Sequence, residues 1–416
     1  MNHQHEQIAK YAYENSVFYR GYMSGQLSQD EFVFEKLPIV SKEDMVASRL
    51  PLCSPKQLIL SDEEDIITMS TSGSTGKMFS IEWDRRDFVC SLTELWILRK
   101  KYYEIRPNDK MCYFYTINRV GREEALEYRS GHTLGFSKIL LNEKRIREIY
   151  QKMEEYQPVW MLLQPSTACM LVDSAKKADL VPIQSVRYIE LSGEMLSEGQ
   201  KKKIEKFFNC RVANQYGSYE FNSIAYECPY GNMHVMGSNV YVEPLEEDSA
   251  ENLNEEVTKK EGKEFIITSL KNTRNPFIRY RIGDRGLLNY KISCPCKNHN
   301  PVINLTVGRS HNYIECEDGS RINAYIFLRA VDNINLLLDD VVKQFQVVQR
   351  AVNDFLVKMY LDDRSQMPEV QEIFEENILE EALKNAKFEY CIEEGYMEAG
   401  REEKLMYFRR EMGMDY

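Results

Sequence analysis

Short apolar runs, each followed by polar, helix-like sequence, recur through the first half of the chain and constrain its fold more than any other feature. They are KMCYFYTIN (110–118), VWMLLQPS (159–166), VRYIELSGE (186–194) and RVANQYGSYE (211–220). Strands that alternate with helices favour an α/β architecture with buried, largely parallel strands. Because 416 residues are too many for one ordinary core, the sequence also predicts two or more domains.

From about residue 235 the pattern changes to closely spaced strands and turns. VMGSNVYVEPL, EFIITSL, FIRYRIGDRGLLNY and VINLTVGRS predict a β-rich subdomain. The last part of the chain, with VDNINLLLDDVVKQFQVVQR and DFLVKMYL, predicts a small α+β domain. We therefore expect an amino-terminal domain over residues 1–308, with a β-rich subdomain at about 225–308, and a carboxy-terminal domain over 309–416.

Net charge and hydropathy exclude two classes of partner. A net charge of −12 and a pI of about 5.3 argue against a nonspecific grip on nucleic acid, whose phosphates would be repelled. No apolar run approaches the ~18 residues of a membrane span, and the amino terminus lacks a charged leader followed by an apolar stretch. We therefore expect a cytoplasmic protein with no nucleic-acid or membrane partner.

The loop ITMSTSGSTGK (67–77) gathers hydroxyls, two glycines and one cation after a β-branched, apolar strand. Such a loop can wrap an anion, because glycine lets backbone N–H groups approach closely and the hydroxyls and ammonium add donors. It is not a Walker loop, since two residues separate Gly73 from Gly76 and Met78 follows Lys77. The alternative is a flexible polar turn.

The stretch QYGSYE (215–220) ends a predicted strand, where open α/β sheets bind their ligands. Tyr216 can stack on a flat ring, and Ser218 can donate a hydrogen bond to a phosphate. Glu220 can hold Mg²⁺, which prefers carboxylate and phosphate oxygens. The alternative is a turn with a surface glutamate.

Two later stretches offer a carboxylate and a cation. In RYRIGDRG (279–286), Asp284 follows a glycine and suits bidentate hydrogen bonding to two ribose hydroxyls. The alternative there is a turn beside salt-bridging arginines. In VGRS (307–310), Arg309 lies where the β-rich region gives way to the last domain.

In this order, the four stretches resemble the adenylate-forming superfamily, which includes acyl-coenzyme A synthetases, peptide-synthetase adenylation domains and luciferases. SGE at 192–194 and the cysteine pattern narrow the resemblance to the phenylacetate–coenzyme A ligase-like branch, which includes ligases related to capsule-biosynthesis proteins. The resemblance implies a large multi-sheet amino-terminal domain with a small mobile carboxy-terminal domain.

The resemblance also implies roles for the residues that would bind phosphate. The β- and γ-phosphates of ATP would contact the loop residues Ser70, Thr71, Ser72, Gly73, Ser74, Thr75, Gly76 and Lys77. Ser218 would touch the α-phosphate, and Glu220 would ligate Mg²⁺.

The nucleoside would be held by other blocks of the same family pattern. The residues implied are Ser192, Gly193 and Glu194 against the adenine, Tyr216 stacked on it with Gly217 beside it, Asp284 on the ribose hydroxyls, and Arg309 on ribose or phosphate.

Adenylation in this superfamily also uses a lysine near the chain end. Lys404 occupies the equivalent place, with Glu403 where the family has glycine. His311, two residues after Arg309, stands where the hinge of the family has Asp or Lys.

The implied reaction is ATP-dependent activation of a small carboxylic acid to an acyl-adenylate, with aryl or arylacetic acids as the leading class. Transfer of the acyl group to the thiol of coenzyme A is the preferred second step. The alternatives are transfer to a carrier-protein thiol or to an amine, or a nucleotide-binding regulator that makes no adenylate.

Most of the ten cysteines are expected to be free thiols, but four Cys and His residues predict a metal site. Cys228 and His234 have a C-x5-H spacing, and Cys294 and Cys296 are one residue apart. Together they can close a tetrahedral, structural Zn²⁺ site, which similar arrangements in the resembled branch support. His299 is the alternative nitrogen ligand, and reduced free thiols are the alternative to any metal.

Overall fold

The computed structural model of the chain forms two compact units, Met1–Pro107 with Ala213–Arg309, and Asn108–Val212 with Ser310–Tyr416. The residues described are 3–23, 32–48, 50–60, 65–71, 79–115, 127–137, 143–245, 262–307, 313–317, 319, 321–378, 383–397 and 407–411. In these ranges, none of the helices combines the length and the apolar character that a membrane span requires.

The first unit begins with short helices and one hairpin. The helices are α1 (Gln4–Asn15), α2 (Val17–Met23), α3 (Lys42–Ser48), α4 (Pro55–Leu60), α5 (Arg85–Ser91) and α6 (Thr93–Tyr103), with a 3-10 turn at Phe34–Lys36. The hairpin strands are β1 (Ile66–Thr71) and β2 (Phe79–Asp84). Ser41 caps α3, because its Oγ accepts a hydrogen bond from the Asp44 N–H at 3.1 Å.

The rest of the first unit is a run of antiparallel strands. These are β8 (Arg211–Tyr216), β9 (Ala225–Glu227), β10 (Met233–Val235), β11 (Val240–Pro244), β12 (Lys263–Ser269), β13 (Tyr280–Asn289) and β14 (Val302–Val307). Their spatial order is β11-β12-β13-β14-β10-β9-β8, and each neighbouring pair is antiparallel. The predicted β-rich region is therefore confirmed.

Aromatic side chains dominate the core of the first unit. Phe18, Tyr19, Trp83, Phe265 and Phe277 are fully buried in one cluster. The Tyr19 hydroxyl accepts a 2.9 Å hydrogen bond from the Ile278 N–H, which ties the second helix to the β-rich region. This core holds the amino-terminal helices against the strands that carry the site described below.

The second unit begins with alternating strands and helices. The strands are β3 (Met111–Tyr115), β4 (Glu127–Ser130), β5 (Thr133–Ser137), β6 (Trp160–Leu163) and β7 (Tyr188–Ser192), and the helices are α7 (Glu143–Tyr156), α8 (Pro165–Lys177) and α9 (Glu198–Phe208). The strand order is β7-β6-β3-β5-β4, parallel except for β4. The expected alternation with buried parallel strands is confirmed.

The sequence did not predict one hairpin in this alternation. Residues 116–126, which follow β3, lie outside the described residues, and the next described elements are the paired strands β4 and β5. Their four- and five-residue strands straddle Gly131, whose φ is +54°. A local apolar pattern does not show which later strand pairs with β3, so this hairpin was missed.

The carboxy-terminal part of the second unit is an α+β arrangement with its own core. Its elements are β15 (Tyr313–Glu315), β16 (Arg321–Asn323), α10 (Tyr325–Leu337), β17 (Val342–Ala351), β18 (Asp354–Leu361), a 3-10 turn (Arg364–Gln366), α11 (Met367–Ile378), β19 (Lys387–Ile392) and β20 (Phe408–Arg410). The sheet order is β19-β18-β17-β20. Phe327 of α10 and Phe374 of α11 stack with ring centroids 6.0 Å apart. The predicted α+β segment is confirmed, and the mixed α/β class of the chain with it.

Candidate nucleotide-binding site

The predicted phosphate loop connects the two strands of the β1–β2 hairpin. Ile66 pairs with Asp84 at one end of this antiparallel pair and Thr71 with Phe79 at the other. The predicted strand before the loop is therefore confirmed as β1. Ser70 and Thr71 lie at the end of β1, whereas Ser72, Gly73, Ser74, Thr75, Gly76 and Lys77 lie outside the described residues.

The YGSYE and RYRIGD blocks lie together in the first unit. Tyr216 ends β8 and Asp284 lies in β13. The Tyr216 hydroxyl donates a 2.6 Å hydrogen bond to Oδ2 of Asp284. The structure thus brings together the predicted adenine-stacking ring and the predicted ribose-binding carboxylate.

Gly217 occupies a turn that has no room for a side chain. A Cβ at this position would lie 2.1 Å from the carbonyl oxygen of Asn222. The turn is held by the Asn222 N–H, which donates to the Ser218 carbonyl at 2.7 Å, and by the Ile224 N–H, which donates to the Tyr216 carbonyl at 2.8 Å. Glycine is therefore required between the aromatic ring and the hydroxyl.

Ser218 and Glu220 are both suited to a ligand. The Ser218 Oγ is buried and makes no hydrogen bond within the described part of the chain. A buried hydroxyl without a partner is costly, and a bound phosphate oxygen would satisfy it. Glu220 is only 8% exposed, so the alternative of a surface glutamate is wrong.

The arginines of the RYRIGD block are engaged with other carboxylates. Arg279 Nε donates to Glu243 at 2.6 Å. Arg281 forms two 2.8 Å hydrogen bonds with Glu264. The alternative for this block, a turn beside salt-bridging arginines, therefore correctly predicted the salt bridges. Asp284, however, also accepts a hydrogen bond from the Tyr216 hydroxyl.

The SGE block lies in the second unit, where β7 ends. Gly193 has a φ of +88°, a left-handed conformation that favours glycine. Glu194 accepts hydrogen bonds from the Ser166 N–H at 3.0 Å and from its Oγ at 2.9 Å. Because Ser166 lies in the first turn of α8, Glu194 satisfies a helix amino terminus.

Three other predicted residues lie outside the described residues, namely Arg309, His311 and Lys404. Their roles stay predictions, as does the adenine contact of Ser192, Gly193 and Glu194.

The four predicted metal ligands form one cluster in the first unit. One ligand atom from each of Cys228, His234, Cys294 and Cys296 lies within 4.8 Å of the others. The Sγ atoms of Cys228 and Cys294 are 3.7 Å apart, close to the ~3.8 Å edge of a tetrahedral zinc–thiolate site. A disulfide is excluded at that distance, since its sulfurs would lie about 2 Å apart.

Surrounding groups orient the ligands of this cluster. His234 Nδ1 lies 3.1 Å from the Asn300 carbonyl and Nε2 lies 3.2 Å from Cys296 Sγ. A proton on Nδ1 would leave Nε2 as the ligand atom, as in many histidine–zinc sites. His299, the alternative nitrogen ligand, is exposed.

The thiols of the cluster differ in acidity. Burial raises the pKa of Cys294, but hydrogen bonds from the Cys296 backbone, His234 and Asn232 outweigh burial and bring that pKa to about 6. Burial raises the pKa of Cys228 to about 11. The lowered pKa of Cys294 favours its thiolate at neutral pH, and the thiolate is the form that binds a metal.

A family profile described as AMP-binding enzyme matches residues 21–245. The chain belongs to this family of AMP-binding enzymes. The resemblance seen in the sequence is therefore confirmed. This AMP-binding enzyme is also 21% identical over 380 residues to Protein CapK of Staphylococcus aureus, covering 87% of this chain and 78% of that protein.

Solved structures show the same fold. A 2-hydroxyisobutyryl-CoA ligase, in a postadenylation state with 2-HIB-AMP, has a TM-score of 0.75 at 16% identity over 98% of this chain and 88% of its own. The same ligase in an open conformation with 2-HIB-AMP and CoA has a TM-score of 0.58. The anthranilate CoA ligase AuaEII, in complex with anthranoyl-AMP, has a TM-score of 0.54 at 12% identity over 80% of this chain and 64% of its own. The AMP-binding enzyme thus has the adenylate-forming fold.

The sequence analysis did not predict several residues that shape the site of this AMP-binding enzyme. Trp83 Nε1 donates to the Tyr219 carbonyl at 3.1 Å. Asn239 Nδ2 donates to the carbonyls of Phe221 and Ser223 at 2.7 and 2.6 Å. They hold the backbone on which Ser218 and Glu220 sit. No local pattern marks them, because each acts across a large sequence separation.

Proposed function

We propose that this AMP-binding enzyme activates a small carboxylic acid with ATP, forming an acyl-adenylate and pyrophosphate, and then transfers the acyl group to the thiol of coenzyme A. The observation that supports the proposal is the 2.6 Å hydrogen bond between Tyr216 and Asp284, the ring and the carboxylate that would contact one nucleoside.

The nucleoside would be held by these two residues. Tyr216 would present its ring to the adenine while its hydroxyl fixes the carboxylate. A carboxylate accepts several hydrogen bonds, and Tyr216 supplies one, so the ribose hydroxyls can add to it. Asp284 is half-buried, which strengthens such bonds relative to water.

The phosphates would be bound on the other side of Gly217. The buried Ser218 Oγ would donate to the α-phosphate. Glu220 would hold Mg²⁺, which when bound would neutralise phosphate charge. The loop residues from Ser70 to Lys77 would bind the β- and γ-phosphates through hydroxyls, backbone N–H groups and one ammonium.

In the first step, a carboxylate oxygen attacks the α-phosphorus and the bond to the β-phosphate bridging oxygen breaks, so pyrophosphate leaves with the electron pair. Charge develops on phosphorus and on pyrophosphate, and Lys77 and Lys404 would stabilise it. In the second step, a thiolate attacks the acyl carbon and AMP leaves. No covalent intermediate with the protein is required.

Coenzyme A is the proposed acceptor because the similar structures are named as CoA ligases. An aryl or arylacetic acid is the proposed substrate class, consistent with the anthranilate named for one of them. Transfer to a carrier-protein thiol or an amine would use the same first step and is separated from this proposal by the acceptor assay below.

The Cys228–His234–Cys294–Cys296 cluster is proposed to hold a structural Zn²⁺. Four protein ligands leave no open position for substrate, so the ion would stabilise the β-rich region and take no part in catalysis. The 3.7 Å sulfur separation and the His234–Asn300 hydrogen bond support this assignment.

A library of carboxylic acids tests the activation step. With Mg·ATP and hydroxylamine, we expect an acid-dependent hydroxamate and an equal amount of pyrophosphate. Coenzyme A, a carrier protein and amines are then supplied separately with the best acid. Formation of a coenzyme A thioester supports the proposal. ATP binding without pyrophosphate release from any acid would instead identify a nucleotide-binding regulator.

A further inference from the structure

The connection between β12 and β13 folds against the hairpin strand β2 in the first unit. We call residues 272–275 of this connection, with the sequence NTRN, the clamp loop. The Ser269 N–H donates to the Phe277 carbonyl at 2.8 Å and closes the connection at its base. Because β13 carries Asp284 further along, the clamp loop joins the β1–β2 hairpin to the strand of the proposed ribose contact.

Two asparagines of the clamp loop bond the backbone of β2. Among the described strands, β1 and β2 form a two-stranded sheet of their own, and an isolated hairpin is only marginally stable. The Glu82 N–H donates to Asn275 Oδ1 at 2.7 Å, and Asn272 Nδ2 donates to the Glu82 carbonyl at 3.1 Å. Both asparagines are buried. Their side chains thus take the place of a third strand beside β2 at this residue.

Arg274 of the clamp loop binds two carboxylates of β2. Its Nε donates to Glu82 Oε2 at 2.7 Å, and its Nη1 donates to Asp84 Oδ1 at 3.4 Å. The Arg274 side chain is only 5% exposed. A buried guanidinium that loses its partners is costly, so this contact resists displacement of β2. Thr273 Oγ1 adds a 2.6 Å hydrogen bond to Asp87 in α5, which follows β2 directly.

The opposite face of β2 contacts the segment that carries Glu220. Alternation along the strand places Ile81 and Trp83 in the aromatic core, where both are fully buried. Trp83 Nε1 donates to the Tyr219 carbonyl at 3.1 Å, one residue before Glu220. Strand β2 therefore lies between the clamp loop and the proposed Mg²⁺ ligand, and displacing it would move the backbone next to that ligand.

We propose that Arg274 is a positioning residue that holds β2, and through it the part of the site that binds Mg²⁺ and the triphosphate. This inference rests on the proposed function. In this scheme Arg274 acts through Trp83 and touches no substrate. The nucleoside contacts at Tyr216 and Asp284 are held by their own hydrogen bond and by the pairing of β13 with β12 and β14. Loss of the Arg274 contact should therefore affect ATP far more than AMP.

Hydrogen–deuterium exchange of the nucleotide-free protein tests whether Arg274 holds β2. Arg274→Lys keeps the positive charge but loses the planar fork that reaches two carboxylates. We expect exchange over residues 79–84 to rise about tenfold or more, and exchange over β17 and β18 to stay as in the wild type. Unchanged exchange over 79–84, or an equal rise throughout the first unit, would overturn the proposal.

Nucleotide affinities measured by calorimetry test what the contact does for the site. Arg274→Lys should weaken binding of Mg·ATP about tenfold or more and binding of AMP less than about twofold, because AMP lacks the β- and γ-phosphates. Equal weakening of both nucleotides would show a merely structural contact and refute the positioning role, as would an unchanged Kd for Mg·ATP. If the wild type binds Mg·ATP but releases no pyrophosphate with any acid, the proposed function fails, while the ratio of the two affinities still decides the role of Arg274.

Arg350→Lys is the matched control. Arg350 also bonds two carboxylates, Asp354 and Glu389, but lies in the second unit. It should leave exchange over 79–84 and both nucleotide affinities as in the wild type. Glu82→Gln, which removes one charge from the contact, is the second variant and decides the proposal if Arg274→Lys does not fold. It should change the same exchange and the Mg·ATP affinity in the same direction by a smaller factor, and no change in either would overturn the proposal.

Discussion

The Tyr216 hydroxyl donates a 2.6 Å hydrogen bond to the Asp284 carboxylate. The two residues are 68 positions apart in the sequence, so the bond joins two distant strands. Each residue alone is compatible with an ordinary turn. Together they place an aromatic side chain beside a half-buried acceptor, the pair that the proposed nucleoside contact uses.

Replacing Tyr216 with Phe keeps the ring and removes this hydrogen bond. We expect the KM for ATP to rise about three- to tenfold with a smaller change in kcat, since a bond to a charged group contributes roughly 1 kcal/mol or more. Tyr290→Phe, an exposed tyrosine of the same region, is the control and should leave KM unchanged. A KM for ATP that is the same in Tyr216→Phe and wild type would remove the hydrogen bond from nucleotide binding.

Gly217→Ala introduces a Cβ 2.1 Å from the Asn222 carbonyl. We expect the free energy of unfolding to fall by about 1–3 kcal/mol and adenylation to be lost, because the turn must shift. Gly199→Ala in α9 is the control, since its Cβ would meet the nearest atoms only at 3.8 Å. Denaturant unfolding measures the stability of both variants. Equal stability of Gly217→Ala and Gly199→Ala would contradict the crowding of this turn.

The metal prediction concerns the Cys/His cluster. Purified protein should contain about one zinc per chain, and Cys296→Ser should lose it together with several degrees of Tm. Cys90→Ser, which changes an exposed free thiol, should retain both metal and Tm. Metal analysis and thermal unfolding provide the readouts. Wild-type protein without zinc, even after expression in zinc-rich medium, would contradict the metal site and leave the cluster as three free thiols and one histidine.

Lys404 is expected to stabilise the charge that develops in the first step. Lys404→Ala should abolish acid-dependent pyrophosphate release while binding of Mg·ATP by calorimetry is retained. Lys387→Ala, at an exposed lysine of β19, serves as its comparison and should be fully active. Unchanged release by Lys404→Ala would exclude that lysine from the mechanism.

Sequence patterns predicted the parts of the fold that depend on local periodicity. The apolar run of β7, the strand before Gly217 and the β-rich region were all found in this way. The β4–β5 hairpin was missed, because pairing between β3 and β5 is a long-range choice that a local pattern does not encode.

The sequence predicted the residues of the candidate site that carry ligand-binding chemistry. It did not predict the residues that hold their surroundings in place. Tyr216, Ser218 and Asp284 carry recognisable chemistry. Trp83 and Asn239, from remote positions, hold the carbonyls of Tyr219 and Phe221 in the segment after Ser218. No local pattern showed that Lys343 Nζ approaches the Asp173 carboxylate to 3.6 Å, since the two residues lie on separate elements with ordinary surface-like sequences. Only the folded chain shows that these charges are buried together.

Transfer of oxygen-18 from the acid to AMP tests carboxylate activation most directly. The best acid from the library is labelled in both carboxylate oxygens and incubated with Mg·ATP and coenzyme A, and the products are analysed by mass spectrometry. If the carboxylate attacks the α-phosphorus, AMP gains a single oxygen-18 and pyrophosphate gains none. Unlabelled AMP, or label in pyrophosphate or phosphate, would contradict the formation of an acyl-adenylate.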